Sequence, residues 1–164
     1  MGKSLLDGKK VLIVDDEPDV LATLEDLLEM CHVEKATTFE EAKEQLENKY
    51  FDMAVLDIMG VDGYKLLEIA NQKDVIAVML TAHALSPDHV MKSFKEGAAF
   101  YIPKDEIANV ATFLNDVLEA REKGKHLWWR WLERIGNAYC ERRFGPDWKD
   151  KDKEFWEKFE YLVE

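Results

Sequence analysis

Three carboxylates and a lysine, Asp15-Asp16, Asp57 and Lys104, stand at the ends of separate apolar runs in this chain. Val11-Leu12-Ile13-Val14 runs into Asp15-Asp16 and Met53-Ala54-Val55-Leu56 into Asp57; Val75 to Leu80 runs into Thr81, and Lys104 follows Ala98 to Ile102. If those runs are parallel strands of one sheet, all of their ends meet on one edge. Carboxylates about 4 Å apart at an effective dielectric of about 20 repel by on the order of 4 kcal/mol per pair. A hard divalent cation removes that cost, and oxygen-only ligation points to Mg²⁺. Asp16 and Asp57 are expected to ligate it directly and Asp15 to hold a water or the ion, with the backbone carbonyl of Met59 as a further oxygen. Lys104 adds a mobile positive charge and Thr81 a hydroxyl donor, the two groups needed to hold a phosphoryl group. A carboxylate in that setting can act as a nucleophile and form an acyl phosphate. Asp57, at the end of the central run and beside the small Ala82 through Thr81, is the expected nucleophile.

The elements that must position these residues follow from hydrophobic period. Apolar runs of strand length alternate with segments of helical period, and the runs lack two-residue alternation, as strands covered on both faces do. The expected order is strand Lys10–Val14, helix Pro18–Met30, strand Val33–Ala36 and an acidic helix opened by Thr38, with Glu41 at capping-box spacing. Strand Phe51–Leu56 follows, then a loop through Gly60 and Gly63, a helix to about Asn71, and strand Val75–Leu80. A helix opened by Ser86-Pro87 and stopped by Gly97 leads to strand Ala98–Ile102 and a helix carrying Ile107, Val110, Ala111, Leu114, Val117 and Leu118. Right-handed crossovers make five such units a doubly wound α/β sheet, with its crevice at the carboxyl ends of the strands.

Four motifs in this order resemble the receiver domain of bacterial two-component response regulators over about residues 8–121. They are Val-Leu-Ile-Val-Asp-Asp-Glu-Pro (11–18), Val-Leu-Asp-Ile-Met (55–59), Met-Leu-Thr-Ala (79–82) and Tyr-Ile-Pro-Lys (101–104). The resemblance implies a flavodoxin-like sheet of strand order 2-1-3-4-5. It also implies that Asp57 accepts phosphate from the histidine of a sensor kinase or phosphotransfer protein, that Asp15 and Asp16 bind Mg²⁺, and that Thr81 and Tyr101 move when Thr81 and Lys104 engage the phosphoryl group. The chain would then be a regulatory phosphoacceptor rather than an enzyme, with only its own phosphorylation and dephosphorylation as chemistry. His83, two residues after Thr81, either tunes the lifetime of the phosphoryl group or is an exposed bystander. One departure stands out: receivers commonly place a glycine eight residues after the phosphorylated aspartate, whereas Gly63 lies six after Asp57. Metal-dependent phosphohydrolases share the aspartate nucleophile but place a second acid two residues on, where this chain has Met59.

The net charge of −12 is uneven: residues 1–120 hold 11 Lys and Arg against 24 Asp and Glu, while residues 121–164 hold 11 against 10. So acidic a body opposes non-specific binding to nucleic acid. No apolar segment nears the roughly 20 residues that span a bilayer, so membrane insertion is not expected and a cytoplasmic setting is. Cys31 and Cys140 lack the spacing of a zinc or disulfide framework and read as reduced thiols. Two domains are expected, a receiver over 1–121 and a helical aromatic-rich tail over 122–164 that holds all five tryptophans. The tail either packs on itself or the receiver, or serves as a homodimer or protein-partner interface; DNA is disfavoured by the acidic run Asp147 to Glu160. His126 lies in that tail without a phosphorylation motif. Two functions follow: a phosphorylation-dependent regulator acting through the tail, or a phosphorylation-independent scaffold.

Overall fold

The structure is a computed structural model and describes residues 5–82, 87–123 and Arg142. Residues 124–164 apart from Arg142, and with them His126 and Cys140, lie outside the described residues, as do His83 and Ser86; the helix Val110–Glu122 carries the described chain one residue past the boundary expected at 121. Five strands, β1 (Lys10–Val14), β2 (His32–Ala36), β3 (Met53–Asp57), β4 (Ile76–Thr81) and β5 (Phe100–Pro103), form one parallel sheet of order β2-β1-β3-β4-β5. Between and after them lie α1 (Pro18–Leu27), α2 (Phe39–Asn48), α3 (Gly63–Gln72), α4 (Pro87–Lys95) and α5 (Val110–Glu122). This is the doubly wound order expected from the sequence.

The inner strands are apolar without alternation because helices cover both of their faces. Val11 to Val14, Ala54 to Leu56, Val78 to Leu80 and Phe100 to Ile102 are all buried, against Leu24, Leu66, Leu67, Val90 and Leu114 from the helices. Each such aliphatic side chain contributes roughly 1.5–3 kcal/mol on burial. β2 stands at the sheet edge, and its residues are mostly exposed or half-buried. Among the described residues no helix is long and apolar enough to cross a membrane.

Several element ends differ from the periodicity, each for a local reason. α1 stops at Leu27 rather than Met30, because Cys31 turns back onto the Leu28 carbonyl and His32 donates to the Lys9 carbonyl, which starts β2 one residue early. β3, β4 and β5 sit further along the chain than the apolar runs, so the polar residues Asp57 and Thr81 are the last paired residues of β3 and β4. Ile107 lies in a 3₁₀ turn over Lys104–Asn109, not in α5. At α2 the Glu41 amide donates to Thr38 Oγ1 at 3.2 Å as expected, but the Glu41 carboxylate accepts from the Thr37 amide, one residue before the cap. Pro87 is the first residue of α4, where its missing N–H is tolerated.

The crossover from β3 to α3 is tight. The Gly63 amide donates to the Ile58 carbonyl at 3.0 Å, and Asp62, the residue before α3, takes the left-handed conformation at φ +55°. Aspartate tolerates that region better than most side chains. A methyl group on Gly63 would press on the carbonyl oxygen of Asp57 and lie 2.9 Å from Asp57 C and Ile58 Cα. Those are backbone atoms and cannot rotate aside. Gly63→Ala is therefore expected to lower stability by at least about 1–3 kcal/mol, the usual cost of overpacking. Chemical denaturation of the two proteins measures it, and equal midpoints would refute this packing.

Candidate functional site

The site is built where β1, β3 and β4 end and the 3₁₀ turn begins. Asp15 follows β1, and its amide donates to the Ala36 carbonyl at 3.2 Å, so it extends the sheet edge by one residue. Its Oδ1 accepts the Glu17 amide at 2.9 Å, which turns the chain toward α1. Asp57 closes β3 in register with Leu80, and Thr81, one residue on, closes β4 in register with Pro103. Lys104 follows Pro103 directly. The register of four parallel strands thus brings Asp15, Asp57, Thr81 and Lys104 to a single edge.

Lys104 reaches into the carboxylates. Its Nζ lies 2.8 Å from Asp15 Oδ2, 3.1 Å from Glu17 Oε1 and 3.5 Å from Asp57 Oδ1. Asp15 is completely buried and Asp57 is 4% exposed, whereas Glu17 and Asp16 face solvent. The other oxygen of Asp57, Oδ2, accepts the Gly60 amide at 3.1 Å. Asp16 lies against Gly60, close enough that its charge acts on Asp57. Tyr101 and Thr81 are both buried, Tyr101 within β5 and Thr81 at the edge itself. Met59 projects into solvent at 63% exposure beside Asp57.

Two of these contacts were not in the sequence reading. Glu17 belongs to the Asp-Asp-Glu-Pro motif, yet its pairing with Lys104 depends on the turn after β1, which no spacing rule reports. Gly60 was read as a loop residue, and its role as donor to Asp57 follows only from the tight crossover. The fit to a divalent cation rests on donor chemistry. Carboxylate oxygens of Asp15, Asp16 and Glu17 lie within 4.8 Å of one another, an all-oxygen set suited to a hard ion. That grouping contains Glu17, which was not among the expected ligands, and does not include Asp57.

Burial pushes the Asp15 and Asp57 carboxyls above the ordinary aspartate range, against the pull of Lys104 on both. Burial also disfavours the charge on Lys104, but its bonds to Asp15 and Glu17 and the charge of Asp57 outweigh it and hold the ammonium above its usual value. The three groups therefore set one another's charge state, with Lys104 opposing the effect of burial on both carboxyls. Away from the site, burial pushes the Cys31 thiol up to about 11, with Asp7 and Asp52 adding to it, in keeping with a plain reduced thiol. Because the folded-state values of Asp15 and Asp57 are raised, their stabilising contribution is full below the unfolded value of 3.8 and lost as pH rises through the folded one. In EDTA, Asp57→Asn is expected to melt above the wild type at pH 7, with the gap narrowing as pH falls toward about 4. Thermal melts at the two pH values check this, and a gap independent of pH would contradict it.

Comparison with known proteins agrees with this geometry. Residues 11–113 match the family model of the response regulator receiver domain. The two-component response regulators ARR18 and ARR10 of Arabidopsis thaliana are 41% identical over 103 residues and 39% identical over 114 residues. Those stretches are 59% and 63% of this chain but 16% and 20% of the relatives, so the chain spans a fifth or less of their length. A CheY-like response regulator receiver domain protein from Methanospirillum hungatei matches in structure with a TM-score of 0.64 at 30% identity, over 71% of this chain and 98% of that one. A putative response regulator from Chloroflexus aurantiacus matches at 0.61 and 28%, over 68% of this chain and 98% of that one. With the family model matched over residues 11–113 and the sheet order β2-β1-β3-β4-β5, the chain belongs to the response regulator receiver domain family.

Proposed function

We propose that this receiver accepts a phosphoryl group on Asp57 from the histidine of a sensor kinase or phosphotransfer protein and passes the change on through its C-terminal tail. The observation that carries the reading is the junction of Asp57 with Lys104, 3.5 Å apart at a buried sheet edge that also holds Asp15. A carboxylate oxygen of Asp57 attacks phosphorus, the P–O bond forms as the P–N bond to the histidine breaks, and the leaving imidazole takes up a proton. The Gly60 amide fixes one carboxylate oxygen and so orients the other. Lys104 exchanges part of its contact with Asp15 and Glu17 for the phosphoryl oxygens, and the Thr81 hydroxyl donates to them. Asp15, Asp16 and Asp57, with the Met59 carbonyl, would hold Mg²⁺, which would supply charge neutralisation for the acids and the phosphoryl group. Glu17 joins Asp16 as a solvent-facing member of that acidic set.

The new charge biases a two-state equilibrium, because Lys104 and Thr81 belong to the ends of β5 and β4 and their displacement reaches Tyr101 and α4. Catalysis of other substrates is no part of this role. Output passes through residues 122–164, whose aromatic residues and arginines suit a protein interface, either a second copy or another protein. Arg142 lies 3.8 Å from Glu106 of the 3₁₀ turn Lys104–Asn109. The hydrogen bond that the loop after Asp57 supplies to its carboxylate supports the phosphorylation-dependent reading over a phosphorylation-independent scaffold.

Incubation with acetyl phosphate and Mg²⁺ is expected to give an acid-labile, hydroxylamine-sensitive adduct of one phosphoryl group, absent in Asp57→Asn and in EDTA. Intact-mass measurement and phosphate-affinity electrophoresis read it. The same adduct in Asp57→Asn would sink the reading. Light scattering of the full chain and of a truncation after Lys123, with and without the adduct, tests the tail; a mass unchanged by phosphorylation, together with partner binding equal in wild type and Asp57→Asn, would favour the scaffold.

A further inference from the structure

Gly60 is held in place from two sides. Its amide donates to Asp57 Oδ2 at 3.1 Å, and three residues on the Gly63 amide donates to the Ile58 carbonyl at 3.0 Å with no room for a side chain above Asp57. Asp62, in the segment between these anchors, takes the left-handed conformation at φ +55°. Gly60 itself has no positive φ, so its backbone conformation is open to any residue. What the position does forbid is a side chain: a methyl group there would lie 2.5 Å from Asp16 Cγ and 2.7 Å from Asp16 Oδ2, nearer still to Oδ1. Real carbon contacts do not reach those distances. Asp16 faces solvent, so its carboxylate can swing aside, whereas the loop is pinned.

We infer that Gly60 is a positioning residue for the cation site: its missing side chain lets the crossover lie against Asp16 and leaves the Asp16 carboxylate room to stay grouped with Asp15 and Glu17. The inference rests on the reading of Asp16 as a Mg²⁺ ligand. A side chain at residue 60 displaces one ligand without disturbing the sheet, because the displaced group is an exposed carboxylate and not backbone. Gly60 and Gly63 thus divide the demands of the short crossover, one serving the ion and the other the fold. The same substitution has opposite signatures at the two positions.

Titration of MgCl₂ alone by calorimetry tests this on the full chain. Gly60→Ala is expected to weaken Mg²⁺ affinity about tenfold or more, the usual scale for loss of a ligand's positioning, while the melting temperature in EDTA stays within about 3 °C of wild type. Gly60→Ser should behave alike. In an Asp16→Ala background, adding Gly60→Ala should change the affinity by less than about twofold, since two changes acting through one group do not add. Wild-type affinity in Gly60→Ala would overturn the inference, as would full additivity with Asp16→Ala or a large fall in melting temperature without metal. A wild-type protein that takes up no Mg²⁺ would instead overturn the reading of the site on which the inference stands.

Discussion

The crowding of negative charge at the carboxyl end of the sheet is the constraint on which this molecule turns. Asp15 and Asp57 are buried there with Asp16 and Glu17 alongside, and Lys104 divides its ammonium among three of the four. Burial raises both buried carboxyls and the acids in turn raise the lysine, so each group is held in a state that its neighbours, not water, determine. Burying carboxylates together in this way costs stability, because water can no longer solvate their charge. The apolar sheet makes it tolerable: Val11 to Val14, Ala54 to Leu56 and Val78 to Leu80 supply the burial that keeps the acids in place.

The short crossover from β3 to α3 is the second constraint, and it sets how the acids are presented. Only residues 58–62 join the end of β3 to the start of α3, which leaves little slack. Asp62 takes the left-handed conformation, Gly63 leaves no room for a side chain against the Asp57 backbone, Gly60 lies against the movable Asp16 carboxylate, and the Gly60 amide turns onto Asp57. Met59 is pushed outward, where it stands exposed next to the acceptor. The loop is therefore bonded directly to the Asp57 carboxylate.

Much of this was legible in the chain itself. Unbroken apolar runs ending in Asp15-Asp16, Asp57 and Thr81 imply parallel strands with polar ends on one edge, and sheet register then forces those residues together whatever the loops do. Element ends were less legible, because α1 stops where Cys31 and His32 find backbone partners and Ile107 falls in a turn begun by Lys104. The pairing of Glu17 with Lys104 spans 87 residues and depends on a turn, so spacing alone could not reveal it. Nor could it reveal that Gly60 faces Asp16, since that contact arises from how a loop closes across two strands.

The central claim is that these strand-end acids and Lys104 form a phosphoryl acceptor centred on Asp57. Fluorine NMR of the protein with beryllofluoride, a non-covalent mimic of the phosphoryl group, tests it most directly. The account predicts bound-fluoride resonances for the wild type in the presence of Mg²⁺, none for Asp57→Asn, and none for either protein in EDTA. Bound resonances that persist in Asp57→Asn, or a wild type that shows none at saturating Mg²⁺, would contradict it.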